Sequence, residues 1–239
     1  MAAGRDRTGV RQTTVGEAIG QILSYGVGVA LSPFPIIGVV LMLATPRARS
    51  NGPALLLGWV LGLSLVGTIV LLASGGAGPS DQGQPADWVS ALDLALGVLL
   101  LWVAVKEWRG RPRGDEEVVL PKWMHTVDSF TFVKAGALGT ALSALNPKNL
   151  LLVIAAAATI ARTDTSAGAQ AAALAVFVVI GALGTGTPVV LYFALKERSQ
   201  HILDDLKLWM ERNNSAIVAV ICLLVAAKLV GNAIGDLSS

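Results

Sequence analysis

The residues best suited to do chemistry in this chain lie in two short proline motifs, each inside a long apolar run. The motifs are Ser32-Pro33-Phe34-Pro35 and Asn146-Pro147-Lys148-Asn149. Proline has no amide proton and its ring clashes with the preceding turn, so each motif should interrupt a helix and free backbone carbonyl and amide groups. In a membrane such groups are tolerated only inside protein or beside a water-filled cavity. Prolines also kink many membrane helices without a binding role, but two polar breaks at matching positions favour one shared central site.

Lys148 carries the strongest chemical expectation. A lysine near the middle of a membrane helix costs roughly 2.5–3.5 kcal/mol on insertion scales. Apolar residues extend from 130 to 160 on both sides of it, which leaves its ammonium no short route to water. The charge therefore needs freed carbonyls, an acidic side chain or an anionic substrate. We expect Lys148 to lie in the central site, where it either contacts substrate or satisfies backbone carbonyls.

Three further candidates are ionisable residues in predicted helices, namely Glu17, Asp93 and Lys228. The two acids could take part in proton coupling, although Glu17 also fits a helix cap and Asp93 lies near a membrane boundary. Lys228 lies deeper than an ordinary anchor, yet its side chain could also reach toward the boundary. A third polar break, which could line the pathway or act as a hinge, is predicted in the fifth span at Thr185-Gly186-Thr187-Pro188.

No sequence feature indicates a metal site, a cofactor or an enzyme. The only cysteine, Cys222, lies inside an apolar run and has no partner for a disulfide or a thiolate metal site. Both histidines, His125 and His201, fall in hydrophilic segments, and the sequence contains no His-Glu-x-x-His, Gly-x-Ser-x-Gly or Walker motif. Transport would therefore draw its energy from an ion gradient or from a partner. A net charge of +2 gives no reason to expect nucleic-acid binding, because the basic residues cluster beside membrane segments.

The elements that must position these residues are membrane helices. With 54% hydrophobic and 14% charged residues, the chain has more apolar surface than a soluble core could bury. A bilayer core about 30 Å thick requires roughly 20 apolar residues per helix. Hydropathy also predicts an interfacial amphipathic helix near 200–212 and a hydrophilic loop at 106–129. Six apolar runs have the length of a span, at 20–43, 53–73, 89–105, 130–160, 167–195 and 215–234.

The two halves of the chain resemble each other. Ala30-Leu31-Ser32-Pro33 aligns with Ala144-Leu145-Asn146-Pro147 at an offset of 114 residues. A repeat of three helices enters the membrane from opposite sides in its two copies, which gives inverted repeats. The predicted fold is an all-α membrane protein of six helices, in which the first and fourth helices are broken. The two repeats are expected at 20–105 and 130–234, with flanking segments at 1–19 and 235–239.

Basic residues predict the orientation of the bundle. Twelve of the 18 Lys and Arg residues fall in the connections on one side of the predicted membrane helices, and four fall on the other. Lys and Arg in short loops are retained in the cytoplasm. The three basic connections should therefore be cytoplasmic, with both termini outside.

The motifs resemble those of a known group of transporters. Ser32-Pro33-Phe34-Pro35 and Leu145-Asn146-Pro147-Lys148 look like the paired signatures of the LysE (lysine exporter) superfamily. Within it, residues 20–234 are similar to the peptidoglycolipid addressing protein (GAP) family, which includes the sulfolipid-addressing proteins. Amino-acid exporters usually have Pro-Gly-Pro at the first motif, and Phe34 in place of glycine fits a more apolar cargo. The likeness is densest at Ala30-Leu31-Ser32-Pro33-Phe34-Pro35-Ile36-Ile37, Pro46-Arg47-Ala48-Arg49 and Leu57-Gly58-Trp59-Val60-Leu61-Gly62.

This resemblance implies export or flipping of a cell-envelope lipid or glycolipid across the inner (plasma) membrane of a bacterium. Together with the predicted central cation, it favours an anionic headgroup. Two alternatives stay open: an exporter of a small metabolite, such as an amino acid or an ion, and a non-transporting scaffold for envelope lipid assembly. The expected partners are membrane lipids and the lipid substrate, and a homodimer or a lipid-synthesis complex would also fit. Gly58-x-x-x-Gly62 could pair helices within the chain or between two copies.

Overall fold

The computed structural model describes residues 15–74, 87–111, 122–163, 165–195 and 199–237, and within these ranges every regular element is helical. Short turns join most of the helices. In chain order the elements are α1 Val15–Ala30, α2 Pro33–Leu43, α3 Ala48–Ser74, α4 Asp87–Arg109, the 3-10 helix Lys122–Ser129, α5 Phe132–Ala144, α6 Pro147–Ala161, α7 Ala167–Leu195 and α8 Ser199–Leu237.

Long apolar helices confirm a multi-pass membrane protein. Helices α3, α7 and α8 are each long and apolar enough to cross a bilayer, since each contains an 18-residue window whose mean hydropathy is 2.4, 2.2 and 2.4, respectively. The pairs α1 with α2 and α5 with α6 pass the same test as bent helices, so the described residues contain three to five candidate spans. Helix α4 lies at the predicted third span. The total of six spans and their inverted arrangement stay predictions.

Both predicted helix breaks are present, and they share one local geometry. The axes of α1 and α2 differ by 50°, and those of α5 and α6 by 65°. At each break an N-cap residue with extended backbone, Ser32 or Asn146, precedes a proline at the start of the next helix. Proline is favoured there because its missing amide would lack a helical partner in any case. The first break is narrower than predicted, since Pro35 lies inside the first turn of α2, where the same argument applies.

The predicted polar break in the fifth span is wrong. Helix α7 continues through this segment and contains Pro188. Pro188 removes the helical hydrogen bond that the carbonyl of Gly184 would otherwise accept, yet the helix continues through it. Thr185 donates to the carbonyl of Ala182 at 3.2 Å, and Thr187 donates to that of Leu183 at 2.7 Å. Membrane helices commonly tolerate proline in this way.

The predicted interfacial helix near 200–212 is the first part of α8 rather than a separate element. Helix α8 has 39 residues, which corresponds to about 58 Å at 1.5 Å per residue and is nearly twice the thickness of the hydrocarbon core. Leu203 and Met210 join apolar clusters that contain residues of α2 and the 3-10 helix. Ile202, Leu208 and Trp209 are exposed. The helical backbone continues through the polar residues of this segment into the last apolar run, and the interfacial position of the segment stays a prediction.

Glycines bring α3 and α5 into close contact. A Cβ added at Gly58 would lie 1.9 Å from the carbonyl oxygen of Gly136, and one added at Gly62 would lie 2.0 Å from the hydroxyl of Ser143. The short separation lets the Thr140 hydroxyl donate to the Gly58 carbonyl at 3.0 Å. The motif Gly58-x-x-x-Gly62 therefore pairs two helices of the same chain.

We expect Gly58→Ala to lower the free energy of unfolding by about 1–3 kcal/mol, because the added methyl group overlaps the backbone of α5. Thermal unfolding in detergent measures the change. Gly231→Ala is the matched control, since a Cβ at that position has nothing within 4 Å. The control should leave the melting temperature unchanged or raise it slightly. Equal melting temperatures for the two variants would contradict the tight contact between α3 and α5.

Polar contacts identify the two ends of the helical bundle. Arg162, just after α6, pairs with Asp93 in the N-terminal part of α4, and we call this the far end. At the opposite end, Arg47 donates to the carbonyl of Phe130 at 3.2 Å. We call it the basic end, because it holds the connections that are rich in Lys and Arg.

Candidate functional site

Both helix breaks line one cavity of about 220 Å³, which we call the central cavity. The last turns of α4 and Val218 of α8 form another part of its wall. Because the C-terminal part of α4 leads to the basic end, the cavity lies between that end and the middle of the bundle. Seven of the predicted site residues line it: Ser32, Pro33, Phe34, Pro35, Asn146, Pro147 and Lys148.

The ammonium group of Lys148 is bound by a backbone carbonyl that the first break frees. In a continuous helix the carbonyl of Gly28 would accept the amide of Ser32, but that amide donates instead to Val29 O at 3.2 Å. Lys148 Nζ donates to Gly28 O at 2.9 Å, and the lysine is only 5% exposed. This bond ties the first turn of α6 to the last turn of α1.

Asn149 connects the same two breaks from behind the cavity wall. Its fully buried side chain donates from Nδ2 to Leu142 O at 3.2 Å, and its Oδ1 accepts the Ser32 hydroxyl at 2.7 Å. Leu142 lies 114 residues after Gly28, the same offset that relates the two motifs. The first turn of α6 therefore satisfies one freed carbonyl at each break.

The two N-cap residues have different partners. Asn146 Oδ1 accepts the amide of Lys148 at 3.1 Å and so caps its own helix. Ser32 makes no side-chain cap on α2, because its hydroxyl donates to Asn149. Both α2 and α6 begin at the cavity, so the positive ends of two helix dipoles adjoin it.

Helix α4 contributes residues to this site that were not predicted from the sequence. Trp102, Val103, Lys106 and Glu107 line the cavity, and Lys106 Nζ lies 5.3 Å from the centre of the Trp102 ring. In the sequence these residues are typical of the end of a membrane span, with an aromatic anchor and a basic residue. Their spacing is the available signal, because positions 102, 103, 106 and 107 share one face of a helix. The described lining of the cavity thus includes Lys106, Lys148 and one carboxylate.

The polar candidates of the fifth span are not part of this lining. Thr185, Thr187 and Pro188 belong to the continuous helix α7 and do not line the central cavity. Glu17 lies in the first turns of α1, but its side chain falls outside the described residues. Its predicted cap and its role in proton coupling stay predictions.

Asp93 forms a buried ion pair at the far end. Arg162 Nη1 and Nη2 donate to the two carboxylate oxygens of Asp93 at 2.8 and 3.0 Å, and the aspartate side chain has no exposed surface. Arg162 also donates from Nε to Ala158 O at 3.3 Å, near the C-terminus of α6, where a cation is favoured. Asp93 therefore joins α4 to the end of α6.

Lys228 lies at the same end and joins α8 to α1. Its Nζ donates to Gln21 O and, at 3.0 Å, to the Ser24 hydroxyl. The same atom lies 4.4 Å from the centre of the Tyr25 ring. Polar contacts thus close the far end of the bundle, while the central cavity lies toward the basic end.

The chain is similar to a known protein family over most of its length. No curated protein and no solved structure matches the chain significantly. The family profile described as "Sap, sulfolipid-1-addressing protein" matches residues 22–235, a range that includes both helix breaks and every residue assigned to the central cavity. Since the match extends over most of the chain, the protein belongs to the sulfolipid-1-addressing protein (Sap) family.

Proposed function

We propose that this protein is a secondary transporter that exports or flips a cell-envelope lipid or glycolipid, whose headgroup binds in the central cavity. The observation that carries the proposal is the meeting of two broken helices, from different halves of the chain, around Lys148. Broken helices near mid-membrane commonly form the binding sites of secondary transporters. The family description, which names sulfolipid-1 addressing, supports a lipid cargo. The proposal includes no catalytic step and no cofactor.

The charges around the cavity favour an anionic headgroup. Lys106 and Lys148 supply two ammonium groups, against the single carboxylate of Glu107. The N-termini of α2 and α6 add the positive ends of two helix dipoles. Phe34 and Trp102 provide apolar surface, which suits a polar group that is joined to an alkyl chain.

The size and position of the cavity favour a headgroup that enters from the basic end. Its volume of about 220 Å³ is below the roughly 300–1,000 Å³ of typical ligand pockets, so it fits a headgroup better than a whole lipid. The far end is closed by the Asp93–Arg162 pair and by the contacts of Lys228. Because the basic connections favour a cytoplasmic location, this arrangement corresponds to an inward-facing state.

We also propose that the two halves are inverted repeats, as the internal sequence match and the odd number of helices in each half predict. Helix α3 packs on α5 and helix α7 packs on α1, and these two pairs are equivalent if the halves are exchanged. The extended N-caps Ser32 and Asn146 and the freed carbonyls of Gly28 and Leu142 are related by the same offset. Alternating access then consists of one half rocking against the other around the central cavity.

Transport is tested with the purified protein in liposomes under an imposed proton or sodium gradient. The probes are a fluorescent sulfated galactolipid and the matched uncharged galactolipid. A membrane-impermeant reductant bleaches only the outer leaflet, so lipid exchange appears as a change in the bleached fraction. We expect faster exchange of the sulfated lipid than in protein-free liposomes. A wild-type protein that moves neither lipid under either gradient would refute the proposal.

Lys106→Ala should slow exchange of the sulfated lipid about two- to fivefold, because an exposed ammonium group contributes less than a buried one. Exchange of the uncharged lipid should stay the same. Lys134→Ala is the matched control, since Lys134 is an exposed lysine of α5 that does not line the cavity. If both variants exchange the sulfated lipid at the wild-type rate, Lys106 has no part in headgroup binding.

A further inference from the structure

A second and larger concavity lies between α3 and α7. It has a volume of about 850 Å³ and is lined by residues within 64–72 of α3 and 167–178 of α7. Leu174 packs on Gly67 at its floor, so closely that a Cβ added at Gly67 would lie 2.5 Å from the leucine side chain. We call this concavity the α3–α7 groove. It shares no lining residue with the central cavity.

The groove has the length of one membrane leaflet. Its lining extends from Ser64 to Leu72 on α3 and from Ala167 to Val178 on α7. At 1.5 Å per residue these segments are about 12 Å and about 16 Å long. One leaflet of a bilayer core about 30 Å thick measures about 15 Å. The C-terminus of α3 and the N-terminus of α7 lie at the far end, so the groove leads from that membrane surface to the middle of the bilayer.

The lining of the groove is mostly apolar inside the membrane, where Ser64 and Thr68 of α3 add two hydroxyl groups, and it is polar at its outer end. No charged residue lines it among the described parts of the chain, and each wall belongs to a helix that contains an 18-residue window of mean hydropathy 2.4 (α3) or 2.2 (α7). The open side of the groove therefore faces lipid rather than water. Gln170 lies at the outer end, where its Nε2 donates to Thr163 O at 3.5 Å. A groove that is mostly apolar, with a polar residue at its outer end, fits an alkyl chain that is attached to a polar headgroup.

One observation favours an alkyl chain over a helix from a second copy. The glycine motif that could have paired two copies, Gly58-x-x-x-Gly62, already packs against α5 of the same chain.

We infer that the α3–α7 groove binds one alkyl chain of a bilayer lipid in the leaflet at the far end. The central cavity lies toward the basic end, so the groove and the proposed headgroup site are in opposite halves of the membrane. A lipid in the leaflet at the far end can therefore bind with one of its alkyl chains in the groove. The inference depends on the shape and chemistry of the groove and holds independently of the proposed transport.

The test is photochemical labelling of the full-length protein in liposomes. The probe is a phosphatidylcholine that carries a diazirine halfway along one acyl chain, and mass spectrometry of peptides locates the adducts. We expect adducts concentrated in the segments 64–72 and 167–178. The double variant Ala171→Leu/Ala175→Leu fills the groove and should reduce labelling of these segments roughly fivefold or more. Thr68→Leu fills the groove from the opposite wall and should reduce labelling in the same direction.

Ala172→Leu is the matched control, because Ala172 is as exposed as its neighbour Ala171 but does not line the groove. It should be labelled like the wild-type protein. Labelling spread evenly over all exposed helix faces, or labelling that the filling variants leave unchanged, would overturn the inference. Cross-links between two copies through the same segments would also overturn it and would assign the groove to a dimer. None of these results requires lipid exchange, so a failure here is distinct from a failure of the proposed transport.

Discussion

Lys148→Ala is expected to lower the free energy of unfolding by about 1–3 kcal/mol, the cost of leaving the buried Gly28 carbonyl without a donor. The substitution also removes a buried ammonium group, which by itself would raise stability. We expect the lost hydrogen bond to outweigh the removal of the buried charge. The reason is that the ammonium adjoins the central cavity and bonds to Gly28 O at 2.9 Å instead of lying in hydrocarbon. Exchange of the sulfated lipid should fall about tenfold or more, since a charge-assisted hydrogen bond is among the strongest contacts a headgroup can make.

Two further substitutions at this position separate the charge from the rest of the side chain. Lys148→Met keeps the stem but removes the charge, so it should lose exchange as the alanine variant does. Lys148→Arg keeps the charge, but its wide planar fork fits a site shaped for a compact ammonium poorly, so exchange should be partly restored. Thermal unfolding and lipid exchange are measured on the same preparations, with Lys134→Ala as the control. A Lys148→Ala protein that melts and exchanges lipid like the wild type would remove Lys148 from both roles.

Arg162→Ala should be even more destabilising, at about 3 kcal/mol. The substitution leaves the carboxylate of Asp93 buried without its partner, and breaking a buried ion pair in this way costs roughly 3–5 kcal/mol. We expect the lower end of that range, because the Arg162 side chain is 25% exposed and so already shares its charge with solvent. Thermal unfolding in detergent measures the loss.

The same pair offers its own control through a double-variant cycle. Asp93→Asn keeps the size of the side chain but removes its charge. The combination Asp93→Asn/Arg162→Ala buries no unpaired carboxylate, so it should be markedly more stable than Arg162→Ala alone. Simple addition of the two single losses would show that Asp93 and Arg162 do not stabilise each other.

Much of the fold follows from the sequence, because membrane helices need long apolar runs and prolines have few places in them. The predicted span 167–195 coincides with α7, and the breaks at Pro33 and Pro147 occur where the missing amide protons require them. The predicted site residues at the two breaks line one cavity for a related reason: the backbone groups that the breaks free must be satisfied by polar partners inside the protein.

The predictions that are wrong come from sequence patterns that are compatible with two different structures. Pro188 looks like Pro33 in the sequence, but α7 continues through it as a single helix. The amphipathic pattern near 200–212 predicted a separate interfacial helix, although α8 continues through it into the last apolar run. Glu107 could not be assigned to the site, because its position depends on how α4 crosses the two breaks.

The two halves of the chain now perform complementary tasks at the central cavity. The second half supplies Lys148 and Asn149, whereas the aligned positions of the first half, 114 residues earlier, hold Phe34 and Pro35. The donors to both freed carbonyls, Gly28 O and Leu142 O, belong to the second half, so the two halves are not interchangeable. A chain made from two copies of the first half would bring two uncharged Phe-Pro turns together and leave both freed carbonyls without these donors. Changes of headgroup preference should therefore arise first in residues 146–149, even if both halves descend from one ancestral repeat.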